Sequence, residues 1–305
     1  MLNPCKVTVT ALLTALCTVT LTGGIAPRLS SEALAQNRST FSTPPTPAES
    51  SVYDKAREDL SPNLYMLYRI VERIARANGL TNHPWRVVVA DDTLINAYAT
   101  EVNLVIVHFG LLDQMAGDIS AIACVVGHEM AHHTERHIAI RTSRVADWQE
   151  ETRNANSREF QERMAKLARE HEQEADAIGY QYSVTAGFDP SGCVRGLEML
   201  SRLPGTMRDS ATHPSVPRRI EAIQALINAT PPEVLRSRGQ LGLTTSDPLS
   251  YEMLEDKEWL RINSARGGSF VEDWNRLFPN DVIDPNFTPP ESPEGEEAAA
   301  DESGE

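Results

Sequence analysis

An apolar run, Ile119, Ala121, Ile122, Ala123, Cys124, Val125 and Val126, leads straight into His128-Glu129-Met130-Ala131-His132. No other feature of the chain limits its fold so strongly. The pattern predicts a helix from Asp118 to about Ile140 that is apolar on every side in its first half, and so lies inside the core. Two His four residues apart stand about 40° apart around a helix, so both rings can reach one metal ion. Glu129, about 100° from His128, can hold a water bound to that ion. Burying two imidazoles and a carboxylate among apolar neighbours is costly unless something satisfies them, and zinc does so directly. His133 and His137 fall about 140° and 180° from His128 on the same helix, which assigns them to surface or supporting positions.

A catalytic zinc takes three protein ligands and keeps one position open, so a third ligand must come from elsewhere. A long helix expected over 157–186 carries the stripe Met164, Leu167, Ala168, His171, Ala175, Ile178, Gly179 and Tyr182, which turns Glu172 inward. Asp176, one turn on, is placed to accept a hydrogen bond from the non-coordinating nitrogen of a liganding His. Glu170 and Glu174 face the other way and read as a solvated surface.

The set His128-Glu129-x-x-His132 and Glu172-x-x-x-Asp176, followed by Gly187-Phe188-Asp189-Pro190, resembles the gluzincin family of HtpX-like and CAAX-prenyl-type endopeptidases, its periplasmic BepA-like members above all. Asn96-Ala97-Tyr98-Ala99, Gly110-Leu111-Leu112 and His213-Pro214 with Arg219 fit the same pattern in order. The resemblance implies an α+β, mainly helical, zincin-like metalloprotease core with one Zn2+ per chain on His128, His132 and Glu172. It implies Glu129 as general base, Asp176 as support for a liganding His, and Asn96, Ala97, Tyr98 and Ala99 as the edge that holds extended substrate. His213 would fill the open zinc position in a latent state or stabilise an oxyanion. Arg219 would stabilise charge on the scissile carbonyl or pair with an acid. Thr100-Glu101 stands where the family often has glycines, and the helical repeat domain of BepA is not expected.

The remaining chain supplies the frame. Residues 54–78 read as one amphipathic helix. The runs 85–90, 95–99 and 103–109 read as a small antiparallel sheet, and 141–156 as a polar connection. Helices are expected over 191–203 and 217–229, with little pattern beyond Thr230. Lys6, the apolar run from Val7 to Leu21 and Ala33-Leu34-Ala35 read as a cleavable signal peptide over 1–35. A Ser, Thr and Pro-rich leader (36–51), a peptidase domain with C-terminal extension (52–278) and a disordered acidic tail (279–305) follow. Cys124 and Cys193 remain after cleavage, paired or free.

The formal charge of −15, from 43 acidic residues against 28 Lys and Arg, argues against nucleic-acid binding. The resemblance, with the expected signal peptide, implies zinc-dependent endoproteolysis of exported or misfolded envelope proteins in the periplasm or cell envelope, in contact with the membrane or outer-membrane assembly machinery. The rival expectation is a latent or inactive zinc-stabilised, chaperone-like binding protein.

Overall fold

Proline and a polar cap break the first expected helix in two. The computed structural model describes residues 47–100, 103–152, 158–254 and 259–263. Helix α1 spans Pro47–Asp59 and α2 spans Pro62–Ala77. Pro62 cannot continue the preceding turn, and the Ser61 side chain accepts from the Leu64 N–H at 3.4 Å. Helix α1 begins inside the segment expected to be leader, so residues 47–51 are helical. The expected signal peptide, the rest of the leader and the acidic tail lie outside the described residues.

The sheet has five strands in the order β2-β3-β1-β5-β4: β1 Trp85–Ala90, β2 Ala97–Ala99, β3 Leu104–His108, β4 Tyr251–Leu254 and β5 Trp259–Ile262. It is mixed where an antiparallel sheet was expected. Strands β1 and β3 run parallel, with Val87 opposite Val105, while β2 folds back antiparallel on β3 as an outer edge. The three runs were read correctly, but alternation within a strand carries no information about which neighbour it pairs with. Strand β5 brings the fully buried Leu260 and Ile262 to the other side of β1.

Helix α3 (Phe109–Gln114) follows β3 directly. Its Gly110 N–H donates to the Asp92 carbonyl at 3.0 Å, and a Cβ at Gly110 would overlap the Thr93 backbone. That close approach ties the loop before β2 to the start of α3.

Helix α4 (Ile119–Thr134) is the buried rod expected from its sequence, capped by Asp118, which accepts from the Ala121 N–H at 3.0 Å. It stops six residues early. Arg136 adopts a left-handed φ of 58°, and a new helix, α5 (His137–Thr152), starts inside the span expected for α4 and runs through most of the segment expected as a polar connection. Helices α6 (Arg158–Thr185), α7 (Gly192–Leu200) and α8 (Val216–Ala229) lie close to the expected spans.

Helix α9 (Pro232–Thr245) forms where the sequence shows little pattern. Arg76, buried on α2, holds its C-terminal end through the Leu243 and Ser246 carbonyls at 2.5 and 2.6 Å. The architecture is thus α+β and mainly helical. A disulfide joins Cys124 on α4 to Cys193 on α7, with Cα atoms 5.2 Å apart. Among the described residues, no helix is long and apolar enough to cross a membrane.

Candidate metal centre

Helices α4 and α6 touch backbone to backbone at Gly127 and Gly179. A Cβ on Gly179 would lie 2.6 Å from the His128 nitrogen and 2.7 Å from its Cα. This contact carries Asp176 and Glu172, one and two turns upstream on α6, onto the two His of α4. Ligating atoms of His128, His132 and Glu172 all lie within 4.8 Å of one another. His128 Nε2 is 3.1 Å from His132 Nε2 and 3.3 Å from Glu172 Oε2, and His132 Nε2 is 3.3 Å from Glu172 Oε1.

Support surrounds this trio. Asp176 Oδ1 lies 3.0 Å from His128 Nδ1, and Arg219 donates from Nε and Nη2 to the two Asp176 oxygens at 2.7 Å each. Both Asp176 and Glu172 are buried. Burial alone would raise the Asp176 carboxyl, but the Arg219 guanidinium and His128 outweigh it and bring it down to about 2. Burial likewise opposes charge on His128, yet the hydrogen bond to Asp176 and the Glu172 carboxylate beside it lift the imidazole to about 10. Glu172 is also pushed up by burial, and the adjoining His128 and His132 rings reverse this and hold it well below the usual carboxylate range.

The donor set fits a divalent cation. With His128 Nδ1 committed to Asp176, its Nε2 joins His132 Nε2 and the Glu172 carboxylate in one buried, electron-rich cluster. Glu172 Oε2 is buried with no aligned hydrogen-bond donor. Two imidazole nitrogens and one carboxylate converging within 4.8 Å suit zinc.

Glu129 is buried beside the cluster, where burial first and the nearby Glu172 next raise its carboxyl to about 7, while the Ala99 N–H donates to it. That N–H belongs to β2, the outer strand, so the edge formed by Asn96, Ala97, Tyr98 and Ala99 lies against the centre. An apolar cavity opens beside the trio, lined by Ile95, Leu111, Val125, Leu197 and Ile223 together with the Cys124–Cys193 bridge. His213 reaches in from the loop before α8, its Nε2 3.3 Å from Glu172 Oε2 and its side chain 54% exposed.

His133 is buried against Trp85 rather than lying at the surface or behind the ligands, and two residues nearer the centre also sit differently from expectation. His137 is buried rather than turned away, its Nδ1 3.0 Å from His132 Nδ1. Glu174, expected on a solvated face, lies 3.3 Å from His137 Nε2 while remaining half-exposed. The break at Arg136 causes both departures, because it returns the chain toward α6. The glycine pair at the helix crossing has no local signal for this role beyond its position, Gly127 directly before His128 and Gly179 on the inward stripe.

Residues 65–227 match the model of peptidase family M48. The chain is 29% identical over 160 residues to the mitochondrial metalloendopeptidase OMA1 of Arabidopsis thaliana, covering 48% of this chain and 33% of that protein. It is 27% identical over 189 residues to the OMA1 protein of Schizosaccharomyces pombe, covering 56% and 55%. The chain thus spans from a third to just over half the length of these relatives. The family match takes in more than half of the sequence and every residue of the cluster, and M48 metallopeptidases are zinc-dependent, which agrees with the donor set: the chain belongs to peptidase family M48.

Proposed function

We propose that this chain is a zinc metalloendopeptidase whose metal is held by His128, His132 and Glu172, and whose general base is Glu129. The observation that carries the reading is the convergence of three ligating atoms within 4.8 Å beside a buried carboxylate raised to about 7. Zinc bound there supplies Lewis acidity that polarises a peptide carbonyl and acidifies water. Glu129, buried beside the cluster, is placed to take a proton from the attacking water and return it to the leaving nitrogen. The β2 edge aligns substrate backbone by strand addition, beside the glutamate that its Ala99 N–H anchors. Asp176 fixes the tautomer of His128, and Arg219 fixes Asp176.

His213 stands at the mouth of the site. Its contact with Glu172 favours a closed arrangement in which it occupies the approach, and the oxyanion role requires it to swing toward the substrate carbonyl. His213→Ala raises cleavage under the first role and lowers it under the second. The same contact supports the rival reading of a zinc-stabilised binding protein, with His213 as a permanent fourth ligand. Under that reading the His213→Ala chain remains inactive.

The natural substrates are proposed to be misfolded or misassembled exported proteins, met in the periplasm or cell envelope near assembly machinery in the outer membrane. The sequence of residues 1–35 and the BepA-like motif set support this placement. The deciding experiment measures zinc content and cleavage of an unfolded protein substrate by wild type and Glu129→Gln. Zinc retained with cleavage lost supports the mechanism, and cleavage by Glu129→Gln rejects it.

A further inference from the structure

The two His of the metal centre are steadied in different ways. His128 Nδ1 meets a carboxylate directly, that of Asp176. His132 Nδ1 instead faces His137 Nδ1 at 3.0 Å, and His137 Nε2 faces Glu174 Oε2 at 3.3 Å. The His137 ring is 3% exposed and stacks on His171, with centroids 4.2 Å apart and planes 9° apart. It is therefore held in place independently of its two hydrogen-bonding contacts.

Proton placement follows from counting donors. A neutral imidazole has one N–H and one lone pair, and an ionised carboxylate only accepts. Glu174 therefore draws the His137 proton to Nε2, which leaves Nδ1 as an acceptor. The proton in the short contact between the rings then belongs to His132 Nδ1. His132 Nε2 is left with a free lone pair, and this is the atom that points at His128 and Glu172.

We propose that Glu174 and His137 form a relay that locks the tautomer and ring orientation of His132, making His137 a positioning residue for zinc binding. The proposal rests on the metal centre assigned under Proposed function. It gives each histidine ligand a carboxylate behind it: Asp176 directly for His128, and Glu174 through one intervening imidazole for His132. The left-handed residue at Arg136 is what makes the second arrangement possible, since a continuous helix would carry His137 to the opposite face.

The test uses the full chain and two readouts. Zinc affinity is measured by chelator competition, and the protonated ring nitrogens are identified in the metal-free protein from long-range 1H–15N spectra of labelled histidine. His137→Phe, which keeps a ring to stack on His171, should lower zinc affinity about 10–100-fold and abolish the single Nδ1–H tautomer of His132. His137→Gln, whose side-chain carbonyl can accept from His132, should recover most of the affinity. Wild-type affinity with an unchanged His132 tautomer in His137→Phe overturns the relay, as does a folded His137→Gln as impaired as the phenylalanine variant.

Should His137→Phe not fold, Glu174→Ala decides at a half-exposed position. A changed His137 or His132 tautomer with weaker zinc binding supports the relay, and no change in either overturns it. A wild-type chain that binds no zinc refutes the metal centre itself, while the tautomer spectra of the metal-free protein still judge the relay.

Discussion

Gly179→Ala is the sharpest test of how the fold builds its centre. The added Cβ would sit 2.6 Å from the His128 nitrogen, 2.7 Å from its Cα and 2.9 Å from the Gly127 carbonyl carbon. All three are backbone atoms of α4, so no side chain can rotate away. Restoring ordinary contact means parting the helices by about 1 Å, and overpacking of this kind costs about 1–3 kcal/mol. Alanine returns up to about 1 kcal/mol through its higher helix propensity, leaving a net loss of about 1–2 kcal/mol. For a domain of this size that lowers Tm by about 3–6 °C. The same displacement carries the His128 to Asp176 contact from 3.0 Å to near 4 Å, outside hydrogen-bond range. Zinc affinity should then drop about 10–100-fold. Gly196→Ala is the control, because its Cβ would meet Met115 and Ala121 side chains at 3.5 and 3.7 Å, ordinary contacts, and should leave stability unchanged or slightly raised. The assay is thermal unfolding of the metal-free chain together with zinc titration against a chelator. A Gly179→Ala chain as stable as wild type, with the same zinc affinity, would show that the helix crossing does not position the ligands.

Burial of His133 against Trp85 pushes its imidazole down to about 3. Below its unfolded value of about 6.5 the unfolded chain therefore binds a proton that the folded chain excludes, so stability falls as pH drops from 6.5 toward 3. This group alone accounts for about 2 kcal/mol at pH 5, and denaturant titrations of metal-free His133→Phe should show a shallower loss between pH 6 and 4.5; an unchanged slope contradicts the assignment. Replacing Cys124 and Cys193 together by Ala opens a closure spanning 69 positions and should cost about 2–4 kcal/mol in chemical unfolding. Removing the buried Arg219 guanidinium as Arg219→Met takes both its N–H donors from Asp176, leaving the carboxylate only the His128 contact, and should cost about 3–5 kcal/mol. Arg219→Lys should recover only part of this, since an ammonium lacks the planar fork.

The residues most legible in the sequence were those whose chemistry is expensive to bury. Two imidazoles and a carboxylate inside an apolar helix demand a partner wherever the helix lies, and the stripe on α6 identifies Glu172 and Asp176 because periodicity fixes the face of a continuous helix. What periodicity does not fix is where a helix stops. Extrapolated past Glu135, the wheel puts His137 on the far side of the rod. One left-handed residue at Arg136 reverses that and stacks the ring on His171.

The strands show the same limit. Alternation located β1, β2 and β3, but the parallel pairing of β1 with β3 depends on how the chain crosses between them, and β5 reaches β1 from more than 150 residues away. Helix α9 has little amphipathic pattern of its own and is placed by distant contacts, Gly239 against the Thr185 backbone of α6 and the Arg76 guanidinium of α2 against carbonyls near its C-terminal end. Local pattern was therefore sufficient for the ligands and for Asp176, which shares a continuous helix face with Glu172, and insufficient for His137 and Glu174, because a support beyond a helix break is defined only by what the rest of the chain carries up against it.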